Sequence, residues 1–195
     1  MLRSRRTICI TAMVAFSLLR VAPAAADYQK HHITLGIGYQ KYLGENMKDE
    51  ASGVDFSNAG KGSLSYRYSV KPTLDITVDG FEAMSQDELL GVDLSVSNSY
   101  FGPGIRLAGS GEGTRPYVQA NVYVVTEEVE AEEGNVTVTT SETGIGFGLA
   151  AGIDIRASRL LSIPIEAAFN YAEPADVLRG MGGSIGLTFN FGATR

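Results

Sequence analysis

The chain has 195 residues, with 23 glycines, nine tyrosines, one cysteine and no tryptophan. Its formal net charge of −6 argues against nucleic acid as a partner, because a polyanion binds basic surfaces. After residue 26 no apolar run reaches the ~20 residues that a spanning helix needs, so any membrane crossing must use strands.

The amino terminus has the three parts of a secretory signal peptide. They are a basic start, an apolar middle and an A-x-A cleavage site, at Arg3, Arg5 and Arg6, at residues 8–19 and at residues 24–26. A membrane anchor is the alternative, but the apolar run is too short to span. We therefore expect a signal peptide at 1–26 and an exported domain at 27–195. The signal holds four arginines, no acid and the one cysteine, so its removal would leave 169 residues with a charge of −10.

Apolar and polar residues then alternate with a period of two, which predicts β-strands. We place eight strands at about 33–43, 61–70, 74–79, 92–107, 116–125, 144–155, 161–171 and 182–191. Long loops are predicted at 44–59, 84–94, 127–134 and 173–181, and short turns at 71–72, 108–114 and 157–159. A bulge is plausible after Gly80, and a slip in register near residues 98–100 would reconcile the two phases of the fourth strand.

The long and short connections alternate, which is typical of an up-and-down antiparallel barrel with both termini on one side. The sixth strand shows the two faces most clearly, with Ile145, Phe147 and Leu149 on one side and small residues on the other. The polar rows contain glycine, serine, threonine, asparagine and glutamine, which fit the narrow interior of eight strands. We therefore predict an all-β, eight-stranded transmembrane β-barrel. A secreted lipocalin-like carrier is the alternative, in which the apolar rows would face inward.

The last strand gives the first family resemblance. Its outward row ends in Leu187, Phe189 and Phe191, and it resembles the carboxy-terminal assembly signal of bacterial outer-membrane barrels, although four residues follow the last aromatic. Over residues 33–191 the pattern resembles the small eight-stranded barrels around the transmembrane domain of OmpA and OmpX. The resemblance implies a monomer in the Gram-negative outer membrane. It also implies contact with membrane lipid, lipopolysaccharide and the barrel-assembly machinery.

Several charged residues have the parity of the lumen-facing rows. They are Arg67, Asp75, Asp79, Arg106, Asp154 and Glu166. Because an unpaired charge is costly away from water, we expect them to form a network of ion pairs. That network would plug the barrel, or alternatively act as a gate or polar relay. Arg67 is expected to pair with Asp75 or Asp79, since their strands are neighbours.

Two further groups of residues belong to the barrel surface. The acidic outer loop contains Glu127, Glu128, Glu130, Glu132 and Glu133. It is interpreted as a solvated loop, because no EF-hand pattern is present. The alternative is that these glutamates collect calcium or bridge, through divalent ions, to lipopolysaccharide phosphates. Aromatic girdles at the membrane interfaces are expected from Tyr39, Tyr66, Tyr68, Phe169, Tyr171, Phe189 and Phe191.

An enzyme is not predicted. Barrel enzymes that resemble deacylases, proteases or phospholipases need a histidine near the outer rim, whereas His31 and His32 precede the first strand on the periplasmic side. No catalytic residue, cofactor or metal ligand set is expected. The first functional hypothesis is a structural or surface-interaction protein that serves envelope integrity or adhesion. The second is a narrow channel or transporter for small or apolar solutes that resembles OmpW, and the third is a palmitoyl-transferase-like enzyme.

Overall fold

Long alternating strands form the barrel in the computed structural model of the chain. The structure describes residues 31–43, 48–49, 54–89, 92–109, 113–134, 136–158, 160–173 and 178–192. The strands are β1 His31–Tyr42, β2 Lys48–Asp49, β3 Val54–Asp55, β4 Asn58–Lys71, β5 Leu74–Leu89, β6 Val92–Ala108, β7 Thr114–Glu133, β8 Val136–Arg156, β9 Leu161–Glu173 and β10 Leu178–Phe191. The predicted signal peptide at 1–26 lies outside the described residues.

Eight strands close into one antiparallel ring, which confirms the predicted fold. β4 to β9 each pair with the strand that follows, and β1 closes the ring between β10 and β4. The β1–β10 seam runs continuously from His31 opposite Phe191 to Tyr42 opposite Gly180. β2 and β3 form a separate small hairpin inside the connection between β1 and β4. Within the described part of the chain, no helix is long and apolar enough to cross a membrane.

The exposure of the strand faces decides which row lies outside. Leu149, Ile165 and Leu187 are 57%, 43% and 47% exposed on the outer surface. Thr77 and Thr188, which have lumen parity, are fully buried. The apolar rows therefore face lipid and the small polar rows fill the axis, as predicted, and the lipocalin-like alternative is excluded.

Two of the predicted long loops are wrong, because the strands on either side continue through them. β5 and β6 are joined by a hairpin in which Leu89 is paired with Val92, and β7 and β8 by one in which Glu133 is paired with Val136. In the sequence, two residues separate the paired ends of each hairpin. Gly134, which follows Glu133, has φ 60°, in the left-handed region that glycine adopts readily.

The bulge after Gly80 and the slip near residues 98–100 are also wrong. The β5–β6 register runs without interruption from Leu74 opposite Leu107 to Leu89 opposite Val92. The change of phase in the sequence is instead a change of environment along straight strands. β1 also begins two residues earlier than predicted, so His31 and His32 belong to the barrel wall.

Candidate functional site

The end of the lumen nearest the short turns contains four of the six predicted lumen charges. We call Arg67, Asp75, Arg106 and Asp154 the ion cluster. The Asp154 carboxylate accepts a hydrogen bond from Arg67 at 3.0 Å and another from Arg106, and Asp75 lies 3.9 Å from the Arg106 guanidinium. All four residues are buried. Two arginines and two aspartates thus balance one another across this layer of the barrel.

The partner expected for Arg67 is wrong. Arg67 lies opposite Thr77 in the β4–β5 ladder, and its long side chain reaches across the lumen to Asp154 on β8. Asp75 lies opposite Ser69 on β4 and opposite Arg106 on β6, and it accepts a hydrogen bond from Ser69 at 2.6 Å. The register therefore gives Asp75 two partners on its own neighbours and leaves Arg67 free to bind across the axis.

Asp79 and Glu166 lie outside the ion cluster and have neutral partners. Asp79 accepts hydrogen bonds from Gln119 at 2.7 Å, from Asn121 at 2.5 Å and from Thr77 at 2.9 Å, and Glu166 accepts one from Tyr117 at 3.1 Å. Both carboxylates line a cavity of about 70 Å³, and Lys61 and Arg106 line it as well. The middle of the lumen is therefore a small polar chamber.

A group of aromatic rings closes the lumen towards the long connections. We call Phe81, Tyr100 and Tyr123 the aromatic plug. Phe81 and Tyr100 stack with centroids 4.2 Å apart, and Tyr123 meets both edge-on at 5.6 and 5.7 Å. Tyr42 and Leu178 pack in the same buried cluster.

The sequence analysis missed this plug, although the parity of the strands contains the signal. Phe81 has the parity of Asp79, and Tyr100 has that of Arg106. The bulge expected after Gly80 and the slip expected near residues 98–100 would each change the parity at these two residues. The sequence analysis therefore did not place Phe81 and Tyr100 in the lumen.

The small residues of β8 make room for the large rings of β7. A side chain at Gly148 would meet the Tyr123 ring at 2.8 Å, and one at Gly152 would meet the Tyr117 hydroxyl at 2.6 Å. Tyr117 also packs on the Arg106 guanidinium, 3.3 Å from the ring centroid. The glycines therefore let the aromatic and charged groups occupy the barrel axis.

Four strand ends continue beyond the barrel ring and form what we call the projecting sheet, at residues 85–89, 92–99, 125–133 and 136–144. The ladder between β4 and β5 stops at Met84, and the ladder between β8 and β9 stops at Ile145. The ladders between β5 and β6, β6 and β7, and β7 and β8 continue to the hairpin turns. The sheet is thus an extension of half of the barrel wall.

The polarity of the strands inverts where the projecting sheet begins. On β7, Val122 and Val124 face outward in the barrel, whereas Glu128, Glu130 and Glu132 occupy the same face above it. The apolar residues of the sheet lie on the face that continues the lumen wall. They are Val92, Leu94, Val96, Val129, Ala131, Val136 and Val138. A strand in lipid places its apolar row outside, and a strand in water does not, so the inversion marks the membrane boundary.

The acidic outer loop is therefore a strand, and its prediction as a loop is wrong. All five glutamates belong to β7: Glu127, Glu128, Glu130, Glu132 and Glu133. Glu128, Glu130 and Glu132 lie on the outer face of the projecting sheet, whereas Glu127 and Glu133 have the parity of the inner face. The ladder with β8 continues through all five residues. Among the described residues, no group of three or more histidines, cysteines, aspartates or glutamates is arranged to hold a metal ion.

The two histidines occupy opposite faces of the turn-side rim. His31 stacks on Phe191 with centroids 5.7 Å apart, and its ring lies 2.6 Å from the Tyr66 hydroxyl. His32 is buried in the lumen, where its ring nitrogens lie 2.5 Å from Asn190 and 3.1 Å from Ser69. Neither histidine lies near the outer mouth.

The proposed assembly residues lie on the lipid-facing side of β10, where Leu187, Phe189 and Phe191 are exposed. They join β10 to β1 at the closing seam. Of the expected girdle, Phe191 and Tyr66 gather around His31 at the turn-side rim.

Comparison with known proteins agrees with this geometry. A family model of the outer membrane protein beta-barrel domain matches residues 11–191. The chain belongs to this family. It is an outer-membrane β-barrel, and its apolar belt, polar lumen and projecting strand ends are arranged as that location requires. No curated protein matches the sequence.

Three solved structures of bacterial proteins have a similar fold. Neisserial surface protein A is 15% identical, with a TM-score of 0.64, over 83% of this chain and 97% of that one. Ail, the attachment invasion locus protein of Yersinia pestis in complex with the heparin analogue sucrose octasulfate, is 15% identical, with a TM-score of 0.61, over 84% and 99%. A major outer membrane protein from Thermus thermophilus is 11% identical, with a TM-score of 0.55, over 83% and 99%. At these identities the likeness concerns the fold.

Proposed function

We propose that this outer-membrane barrel is a closed, non-enzymatic scaffold that presents the projecting sheet for contacts at the cell surface. The observation that carries the proposal is the contrast between the two ends of the same strands. Inside the membrane, the ion cluster and the aromatic plug fill the lumen. Beyond the membrane, the same strands form the projecting sheet, which exposes its edge and its acidic outer face to solvent.

The closed lumen argues against the channel hypothesis. Phe81, Tyr100 and Tyr123 pack side by side on the neighbouring strands β5, β6 and β7, and Tyr42 of β1 and Leu178 of β10 join the same buried cluster from the other side of the lumen. The ion cluster fills the opposite end. The polar chamber between them has room for a few water molecules. A solute could pass this chamber only if the aromatic plug moved. Steady conductance in the bilayer measurement below would therefore favour a narrow transporter.

The surface role also agrees with the names of two proteins of similar fold, a surface protein and an attachment invasion locus protein. Ail was crystallised with a polyanion, the heparin analogue. The chemistry here differs, because the outer face of the projecting sheet carries Glu128, Glu130 and Glu132. We therefore propose a basic partner for this chain. A monomer in contact with lipopolysaccharide and inserted by the barrel-assembly machinery, through Leu187, Phe189 and Phe191, completes the proposal.

Conductance and binding can be measured on one pair of proteins. The first is the wild-type chain, and the second replaces residues 128–141 by Asn-Gly, so that the Glu127–Glu142 pair is closed by a two-residue turn. We expect no steady single-channel openings from either protein in planar bilayers. Bacteria that display the wild-type chain should adhere to a surface coated with basic polypeptide, and the shortened variant should not.

Opening the plug provides the control for the bilayer measurement. The double substitution Phe81→Ala and Tyr100→Ala should produce openings, whereas Tyr39→Ala on the outer surface should not. Steady openings from the wild-type chain that change with Asp79→Ala would refute the closed scaffold and favour the narrow transporter.

A further inference from the structure

We infer that the free edge of β8, at residues 136–144, pairs with an extended segment of another polypeptide in which basic and apolar residues alternate. This inference rests on the proposed function of the projecting sheet and names the chemistry of its partner. The added segment would become a fifth strand of that sheet.

The edge itself is the first observation. β9 pairs with β8 only as far as Ile145, so no described residue pairs with the β9-facing side of residues 136–144. Every residue from Val136 to Thr143 is exposed. An unpaired edge leaves a row of backbone N–H and C=O groups that another strand can bind.

The two edges of the projecting sheet differ. The outer edge of β5 is adjacent to the small hairpin, where the Asp55 backbone N–H donates to the Asp87 carboxylate at 2.8 Å. The β8 edge has no such neighbour among the described strands. Edges that must stay unpaired commonly carry lysine, proline or a bulge. Residues 136–143 read Val-Thr-Val-Thr-Thr-Ser-Glu-Thr and are rich in residues that favour strands. They have none of these three features, and their one charge, Glu142, lies on the inner face at the end nearest the barrel.

The faces of the sheet specify the side chains of the partner. Opposite Thr137, Thr139 and Ser141 on the outer face lie Glu132, Glu130 and Glu128 of β7, in that order. An added strand would place its outer residues about 10 Å from these glutamates, which is two strand spacings. Lysine and glutamate side chains together span that distance, so basic residues are favoured at alternate positions.

On the inner face, the projecting sheet favours apolar residues of the partner. There Val136 and Val138 are 65% and 61% exposed, and Val129 of β7 is 41% exposed beside them. Apolar residues on the added strand would cover these side chains and remove them from water. The partner strand thus repeats the inverted pattern of the projecting sheet, with the acidic row replaced by a basic one.

A second copy of this chain is a poorer occupant. Pairing two β8 edges would place the outer glutamates of the two β7 strands on one continuous face, about 14 Å or three strand spacings apart, with no basic row between them to compensate their charge. Polyanions are disfavoured for the same reason. Charge complementarity therefore selects a basic strand from a different protein.

The test uses the full chain in lipid nanodiscs and three synthetic octapeptides. The probe alternates lysine and valine, the second peptide has the same composition in two blocks, and the third alternates glutamate and valine. Fluorescence polarisation should show the probe binding at least about tenfold tighter than either of the others. Added salt should weaken its binding, and the probe should protect the amides of residues 136–143 from hydrogen exchange.

Charge reversal separates this pairing from general attraction. The triple substitution Glu128→Lys, Glu130→Lys and Glu132→Lys should transfer the preference to the glutamate peptide. The matched variant Glu88→Lys and Asp93→Lys changes the same face near the opposite edge and should retain the original preference.

Three results would overturn the inference: equal binding of the alternating and block peptides, unchanged preference after the triple reversal, or a dimer of the free chain that protects residues 136–143. Any of these would leave the closed scaffold standing if the shortened variant still loses adhesion. Steady conductance of the wild-type chain would instead refute the scaffold while leaving the peptide result intact.

Discussion

Substitution of Asp154 by alanine tests the ion cluster most directly. Its carboxylate neutralises Arg67 and Arg106 together, and both arginines are 3% exposed. Removing one partner of a buried ion pair costs about 3–5 kcal/mol, because the other charge stays buried without compensation. With two arginines affected, we expect Asp154→Ala to lower the free energy of unfolding by an amount in the upper part of that range.

The double variant Arg67→Met and Asp154→Ala distinguishes charge balance from packing. It removes one charge of each sign and leaves Arg106 beside Asp75, which already lie 3.9 Å apart. We expect the double variant to be more stable than Asp154→Ala by about 1 kcal/mol or more, although it lacks more atoms. Asp93→Ala on the exposed outer face is the control, with an expected change within about 0.5 kcal/mol.

Urea titration of the barrel in lipid vesicles provides the assay. Because the chain has no tryptophan, unfolding would be followed by far-ultraviolet circular dichroism and by the heat-modifiable mobility of the folded barrel on gels. If the losses from Arg67→Met and Asp154→Ala simply add in the double variant, the two residues are not coupled and the reasoning about the cluster is refuted.

Two further predictions test the lumen and the lipid face. Gly148→Val should destabilise the barrel by about 1–3 kcal/mol, because its side chain would overlap the Tyr123 ring, whereas Gly62→Val has no atom within 4 Å and should be tolerated in the same urea titration. Leu149→Arg on the lipid face should cost about 2–4 kcal/mol, and Val138→Arg in the projecting sheet much less. Equal costs for the two arginines would contradict the membrane boundary at the base of the projecting sheet.

The sequence predicted the features of the fold that depend on a single strand, with one face towards lipid and the other towards the lumen. Ile145, Phe147 and Leu149 alternate with glycines because one side of β8 meets lipid and the other a crowded axis. The partner of Arg67 could not be predicted in this way. It lies on β8, whose distance across the lumen depends on the closure of the whole ring, and a pattern within one strand contains no information on that distance.

The change of phase along β6 and β7 had a physical meaning that the sequence analysis attributed to irregular backbone. Val96 and Val129 have lumen parity, whereas Phe101 and Val124 face lipid, and the ladder between the two strands is paired on both sides of the change. A straight strand that leaves the membrane must exchange its apolar row, because the outer face then meets water. The same exchange explains why residues 127–133 extend a strand: Glu128, Glu130 and Glu132 lie on the outer face in solvent, and Val129 and Ala131 lie between the two remaining glutamates on the inner face.

The membrane boundary lies between the filled lumen and the projecting sheet, and the same strands form both. Tyr100 and Tyr123, which pack with Tyr42 and Leu178 in one buried cluster, lie immediately below the level at which the outer rows become polar. The ladders of β6, β7 and β8 continue from those rings to the exposed edge at residues 136–144. The projecting sheet continues the hydrogen-bonded ladders of the barrel wall, so the wall fixes the orientation of its exposed edge. Loops of the same length would have to be ordered on binding, at a cost in conformational entropy for each residue. Continuous strands avoid that cost, which is why the long hairpins of this barrel favour recognition by strand addition.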